Sequence, residues 1–131
     1  MVEEAIAEKE VKEKEAIERV YEIKDIVKFS DERSTVTQVA ATEHTIIFVW
    51  GVKPSQEVEA HIHPKGQDTW IMVQGELTYY LGDGKTKKIK AGQIDVAPKN
   101  FVHGCVNEGK EDAIFLSIYS PRDIGYEKAK K

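Results

Sequence analysis

The sequence predicts a small all-β domain, an antiparallel barrel or sandwich, with a charged helix ahead of it. Three observations carry this. From Thr35 to Tyr119 apolar and β-branched residues come in short runs divided by Gly, Pro, Asn and Asp, the pattern of strands joined by turns. No helical periodicity alternates with those runs, so the repeated strand–helix units of a parallel sheet are not expected. Gly82-Asp83-Gly84-Lys85 sits between two strand-like runs, and Asp-Gly in that place is a strong hairpin signal.

Residues 1–19 form the first segment. Glu, Lys and Ala interleave there, and Glu8–Lys12, Glu10–Lys14 and Glu15–Arg19 are acid-before-base pairs four apart, each worth ~0.2–0.5 kcal/mol to a helix. Ile6, Val11, Ala16 and Ile17 make too thin a stripe to dock firmly, so a solvated helical extension is expected. Val20–Ile23 reads as a short strand, Lys24–Lys28 as one helical turn and Ser30–Arg33 as a turn. Strands are then expected at Val36–Ala41, Thr45–Val52, Glu57–His63, Asp68–Gln74, Glu76–Leu81, Thr86–Lys90, Gln93–Ala97, Val102–Val106 and Ala113–Tyr119. Thr45–Val52 is apolar on both faces and should be central. The barrel domain thus spans 20–120, and 121–131 is expected as a polar tail with disordered last residues.

At 131 residues the chain is one ordinary domain, long enough to bury a core. A net charge of −4 gives no basic surface for nucleic acid. No apolar run approaches the ~20 residues of a membrane helix, and the acidic N-terminus lacks the apolar stretch of a signal peptide. One cysteine allows no internal disulfide, and a cytoplasmic setting is the simplest expectation.

The chemistry concentrates in two segments. In His61-Ile62-His63-Pro64-Lys65-Gly66-Gln67-Asp68 the two histidines, two apart on a strand, face the same side. Imidazoles so placed are suited to share one metal ion. The second segment, Gly92 to Asn107, brings a third histidine, His103, in another strand-like run. His44 lies outside both and reads as an ordinary strand-edge residue.

Both segments resemble the two motifs of the cupin family, Gly-x5-His-x-His-x3-4-Glu-x6-Gly and Gly-x5-Pro-x-Gly-x2-His-x3-Asn. His61, His63 and Gly75 match the first, with Asp68 at the acidic position; Gly92, Pro98, His103 and Asn107 match the second. Ser55 stands for the leading Gly, Asp68 for Glu, and Asn100 for the internal Gly. Asn tolerates the left-handed backbone that glycine adopts there, and Ser55 falls in a turn. The resemblance covers about Ile23 to Ser120. It implies an antiparallel double-stranded β-helix, or jelly roll, with a divalent metal inside, held by His61, His63, His103 and Asp68. Asp is a methylene shorter than Glu, and the shorter motif spacing after His63 ends on Gln67, so Gln67 is the rival ligand. Neighbouring strand residues face opposite ways, so only one of the two should reach the site.

With His61 inward, Asp68, Trp70 and Met72 share one face, as do His103, Cys105 and Asn107. Trp70, Met72, Cys105 and Asn107 are therefore expected to line a small-molecule pocket. Cys105 could instead act as a soft ligand, or be only a small buried hydrophobe. Three imidazoles and a carboxylate suit Fe, Mn, Ni, Co or Zn without choosing among them. They leave positions open for water or substrate. The expectation is a metal-dependent enzyme of oxygenase, lyase or isomerase type on a small polar molecule; the alternative is a non-catalytic module that senses or binds a small molecule or metal. Small cupins resemble dimers, so a homodimer is expected, with no nucleic-acid or membrane partner.

Overall fold

The computed structural model describes residues 18–131; most of the expected N-terminal helix lies outside the described residues. The chain enters through one short helix, α1 (Ile23–Ile26). Val20 to Glu22 do not form the strand expected of them. Val20 is 88 % exposed and the Tyr21 hydroxyl turns back to the Glu18 carbonyl at 2.6 Å, so this stretch has local partners and no sheet edge to join.

Ten strands follow: β1 (Thr35–Ala41), β2 (Ile46–Val52), β3 (Glu57–Ile62), β4 (Gln67–Gln74), β5 (Glu76–Gly82), β6 (Lys85–Lys90), β7 (Ile94–Ala97), β8 (His103–Val106), β9 (Ala113–Ser120) and β10 (Glu127–Lys128). They form two antiparallel sheets, β1-β2-β9-β4-β7 and β10-β3-β8-β5-β6. The apolar β2 lies inside its sheet, between β1 and β9. The β5–β6 hairpin turns on Asp83 and Gly84, both at positive φ (57° and 75°), the conformation that an Asp-Gly hairpin supplies. Ser55 (φ 75°) and Asn100 (φ 70°) take the left-handed conformation at the two positions where the family motif carries glycine.

The expected polar tail is the main local departure. Its end is ordered: β10 pairs Glu127 with Ile62 and Lys128 with His61, and Ile124 is fully buried. Ile124 and Tyr126 dock the segment together with the β10 pairing, and composition averaged over the tail hides them.

Between the sheets the core falls into two apolar clusters. The larger holds Trp50, Trp70, Met72, Tyr79, Cys105 and Phe115 among others, with the Trp70 and Phe115 rings stacked at 4.0 Å. The smaller holds Ala41, Ile46, Phe48, Tyr119 and Ile124. The histidines lie between them: His103 meets Trp70 edge-on at 5.6 Å and His63 meets Tyr119 at 5.0 Å.

Candidate metal centre

Strand pairing assembles the site. His61 in β3 stands opposite His103 in β8, just past a register shift between Val58 and His61. Such a shift re-aims a side chain relative to regular alternation, and here Ala60 and His61 are buried in succession. Gly104 allows β8 its close approach: a Cβ there would come 2.7 Å from the Val58 carbonyl oxygen and 2.9 Å from the Ala60 Cα. The Asn100 turn is tied in as well, its N–H donating to the His63 carbonyl at 3.0 Å.

His61, His63, Asp68 and His103 come together, all buried, with ligand-capable atoms within 4.8 Å of one another. Each ring uses Nδ1 on a backbone carbonyl: His61 on Glu59 at 2.7 Å, His63 on Gly125 at 2.5 Å and His103 on Phe101 at 3.1 Å. A carbonyl only accepts, so each Nδ1 carries a proton, and in the neutral ring Nε2 then presents a lone pair. The Nε2 atoms of His103 and His63 lie 3.1 and 3.3 Å from Asp68 Oδ2, and His63 Nε2 makes no hydrogen bond. With the rings neutral, lone pairs facing a carboxylate in a dry interior call for a cation among them.

The carboxylate is itself held. The Ser117 hydroxyl donates to Asp68 Oδ1 at 2.6 Å and the Trp70 indole N–H to Oδ2 at 3.1 Å. Burial pushes the Asp68 carboxyl up, but the His103 and His63 imidazoles beside it, once protonated, outweigh that and hold the group well below the usual carboxylate range. His61 is lowered to about 3, first by burial and then by the charge of His103. Both shifts favour the states that bind metal, an ionised carboxylate and a neutral imidazole. The residues present fit a divalent metal.

Gln67 is exposed and its amide turns to the Thr69 hydroxyl at 3.2 Å. Asp68→Ala is therefore expected to weaken metal binding by ~10–100-fold, with Gln67→Ala nearly silent. Titration of metal-stripped protein checks this, and the reverse order would make Gln67 the ligand.

The residues expected to line a pocket have other occupations. Met72 and Cys105 are packed into the larger core cluster with Trp70, and Cys105 is outside the metal-capable group. Asn107 is spent on loop backbone, donating to the Val52 and Glu111 carbonyls at 2.9 Å and accepting from Gly109 N–H. His44 is exposed beside Glu43. A cavity of about 640 Å3 lies instead beside the centre, between β1, β2 and β3, and Val36, Trp50, Val58, Arg33, Glu57 and Tyr126 are among its walls. Tyr126 also stacks on His61, centroids 4.8 Å apart and planes 19° apart.

Sequence reasoning missed three contributors: Ser117, the Gly125 carbonyl and Tyr126. Ser117 carried a signal, a hydroxyl within the apolar run Ala113–Tyr119. Tyr126, an aromatic in a polar tail, carried almost none.

The sequence matches the cupin domain family over residues 48–119. The fold is similar to that of an uncharacterised conserved protein with a double-stranded β-helix domain from Klebsiella pneumoniae: 36 % identity over 88 % of this chain and 100 % of that one, TM-score 0.84. A cupin of the RmlC-like type from Desulfovibrio desulfuricans is 24 % identical over 79 % of this chain and 97 % of its own, TM-score 0.68. An oxalate oxidase is 21 % identical over 76 % of this chain and 57 % of its own, TM-score 0.65. No curated protein matches the sequence.

Proposed function

Since this chain belongs to the cupin domain family, we propose that it is a metal-dependent enzyme acting on a small polar molecule. The reaction is of oxygenase, lyase or isomerase type, with one divalent metal held by His61, His63, Asp68 and His103. One observation carries the reading: four ligand-capable atoms converge in a buried site with every imidazole Nδ1 already committed to backbone. The likeness to oxalate oxidase is a likeness of fold, and its reaction is not carried over.

Bound there, a divalent metal would supply a Lewis acid that polarises a water or substrate oxygen. The chain's own residues do the rest. The Glu59, Gly125 and Phe101 carbonyls fix ring tautomer and orientation, and Ser117 and Trp70 fix the carboxylate. The apolar clusters on either side exclude water, which strengthens every charge interaction inside. The adjacent cavity offers an apolar floor of Val36, Trp50 and Val58 under a polar rim, a composition suited to a small polar ligand. The Trp50 indole N–H is buried without a hydrogen bond among the described residues.

One observation favours the second reading, a module that binds or senses a small molecule without turning it over. Trp50, Trp70 and Phe115 stack through the barrel interior, so substrate must come from the side cavity. A homodimer belongs to the proposal too. Ile94 and Val96 on the edge strand β7 and Phe101 beyond it are 61, 47 and 60 % exposed, and a second copy would cover them. The lone cysteine favours a reducing cytoplasm. No described helix is long and apolar enough to cross a membrane.

Metal analysis of unsupplemented protein comes first, followed by turnover screens on the loaded form. Substrate-dependent oxygen uptake with Fe(II) is the expected result for an oxygenase, and oxygen-independent turnover for a lyase or isomerase. Tight ligand binding with every metal but no turnover would overturn the enzyme reading in favour of the sensor.

A further inference from the structure

We infer that the C-terminal strap after Ser120 is a working part of the metal centre. Gly125 and Tyr126 position two of the ligand histidines, and Tyr126 is the wall between that centre and the side cavity. This rests on the metal-dependent reading above and names residues that no motif supplies.

The strap is pinned on both sides of those two residues. Before them, Ile124 is fully buried in the smaller core cluster and its carbonyl accepts from Lys65 N–H at 2.9 Å. It lies so close to β4's approach that a Cβ on Gly66 would fall 2.1 Å from the Ile124 Cγ2. After them, β10 pairs with β3, setting Lys128 opposite His61 itself, and Ala129 N–H reaches the Ala60 carbonyl at 3.1 Å. The span between has little freedom to move independently of β3.

Both residues in that span act on ligands. The Gly125 carbonyl accepts a hydrogen bond from His63 Nδ1–H at 2.5 Å, which fixes the tautomer and turns Nε2 toward Asp68. It is the one of the three such carbonyls that lies far from its histidine in sequence; Glu59 and Phe101 are each two residues from theirs. Tyr126 lays its ring along the His61 ring and also meets His63 edge-on at 6.1 Å. Since Tyr126 lines the cavity as well, a molecule lodged there meets Tyr126 beside His61. Tyr126 is a positioning residue on this account: it holds His61 and screens the metal from the cavity.

The test uses the full chain, stripped and reloaded with Co(II) or Zn(II). Tyr126→Ala is expected to speed metal extraction by EDTA and weaken metal affinity, each by ~10–100-fold, the range for loss of a partner that orients a ligand. It should also shift the visible Co(II) spectrum, while the unfolding midpoint of the metal-free protein stays near that of the parent. Tyr126→Phe keeps the ring and should track the parent in all three. Metal on the parent with unchanged extraction, affinity and spectrum in Tyr126→Ala overturns the strap proposal alone. A parent chain that takes up no metal overturns the metal reading and this inference together. A Tyr126→Phe variant as impaired as Tyr126→Ala overturns positioning by ring stacking.

Discussion

Replacing His61 and His103 together by Ala is expected to leave the purified protein without stoichiometric metal. These two face each other across β3 and β8, with ring centroids 4.2 Å apart, so the double change removes one side of the site. His63 and Asp68 remain, short of the three or four protein ligands that retain a divalent ion through purification, and content should fall from about one metal per chain to below about a tenth. Both rings are buried, so the paired change to Gln, which preserves more volume, serves as the second variant. Elemental analysis of all three proteins, each shown by thermal unfolding to be folded, decides it. Full metal content in a folded double variant would refute the ligand assignment.

The architecture was legible because strands and turns follow local rules. The hairpin at Asp83-Gly84 and the left-handed turn at Asn100 were both readable from single residues whose backbone preferences are strong. The convergence of His61, His63, Asp68 and His103 was legible for a different reason. His61 and His63 share a face by simple period two, and the resemblance to the family motifs added Asp68 and His103. What could not be read was whatever depends on a partner distant in sequence. Gly125 gives its carbonyl to a histidine 62 residues away, and no pattern in a short polar tail announces that. Alternation likewise told which way Trp70, Met72 and Cys105 face, but not that Phe115 and Trp50 pack with them in one cluster. Strand β7 shows the limit most sharply. Ile94 and Val96 alternate like a core face, yet they point outward, and the half-buried Asp95 turns its carboxylate inward instead. Pairing forces this: Asp95 stands opposite Trp70 and Ala97 opposite Asp68, and directly opposed residues share a face.

That inward carboxylate leads to the second large effect: Asp95→Asn should stabilise the metal-free protein at neutral and alkaline pH. Burial raises the Asp95 carboxyl to about 7; the neighbouring Tyr79 hydroxyl lowers it, the Asp68 charge raises it further and His103 lowers it again. Below 3.8 the group is protonated in both folded and unfolded chains, and the amide should change little. Between 3.8 and about 7 the unfolded chain has lost the proton while the fold keeps it, so the parent loses stability as pH rises. Above 7 the fold holds a charged carboxylate in poor surroundings and the whole difference is present. From 3.8 to about 7, at ~1.4 kcal/mol per unit, the upper bound is ~4 kcal/mol in favour of Asn. His61, lowered to about 3, acts with the opposite sign, costing the folded state stability as pH falls from 6.5. Comparing Asn with Asp at each pH cancels it, because both chains carry the same histidine. Denaturant unfolding of metal-free protein at pH 4, 6 and 8 should show the gap opening with pH and levelling above 7. A gap that is flat across that range would mean that Asp95 sits in water, and that β7 does not turn its polar face inward.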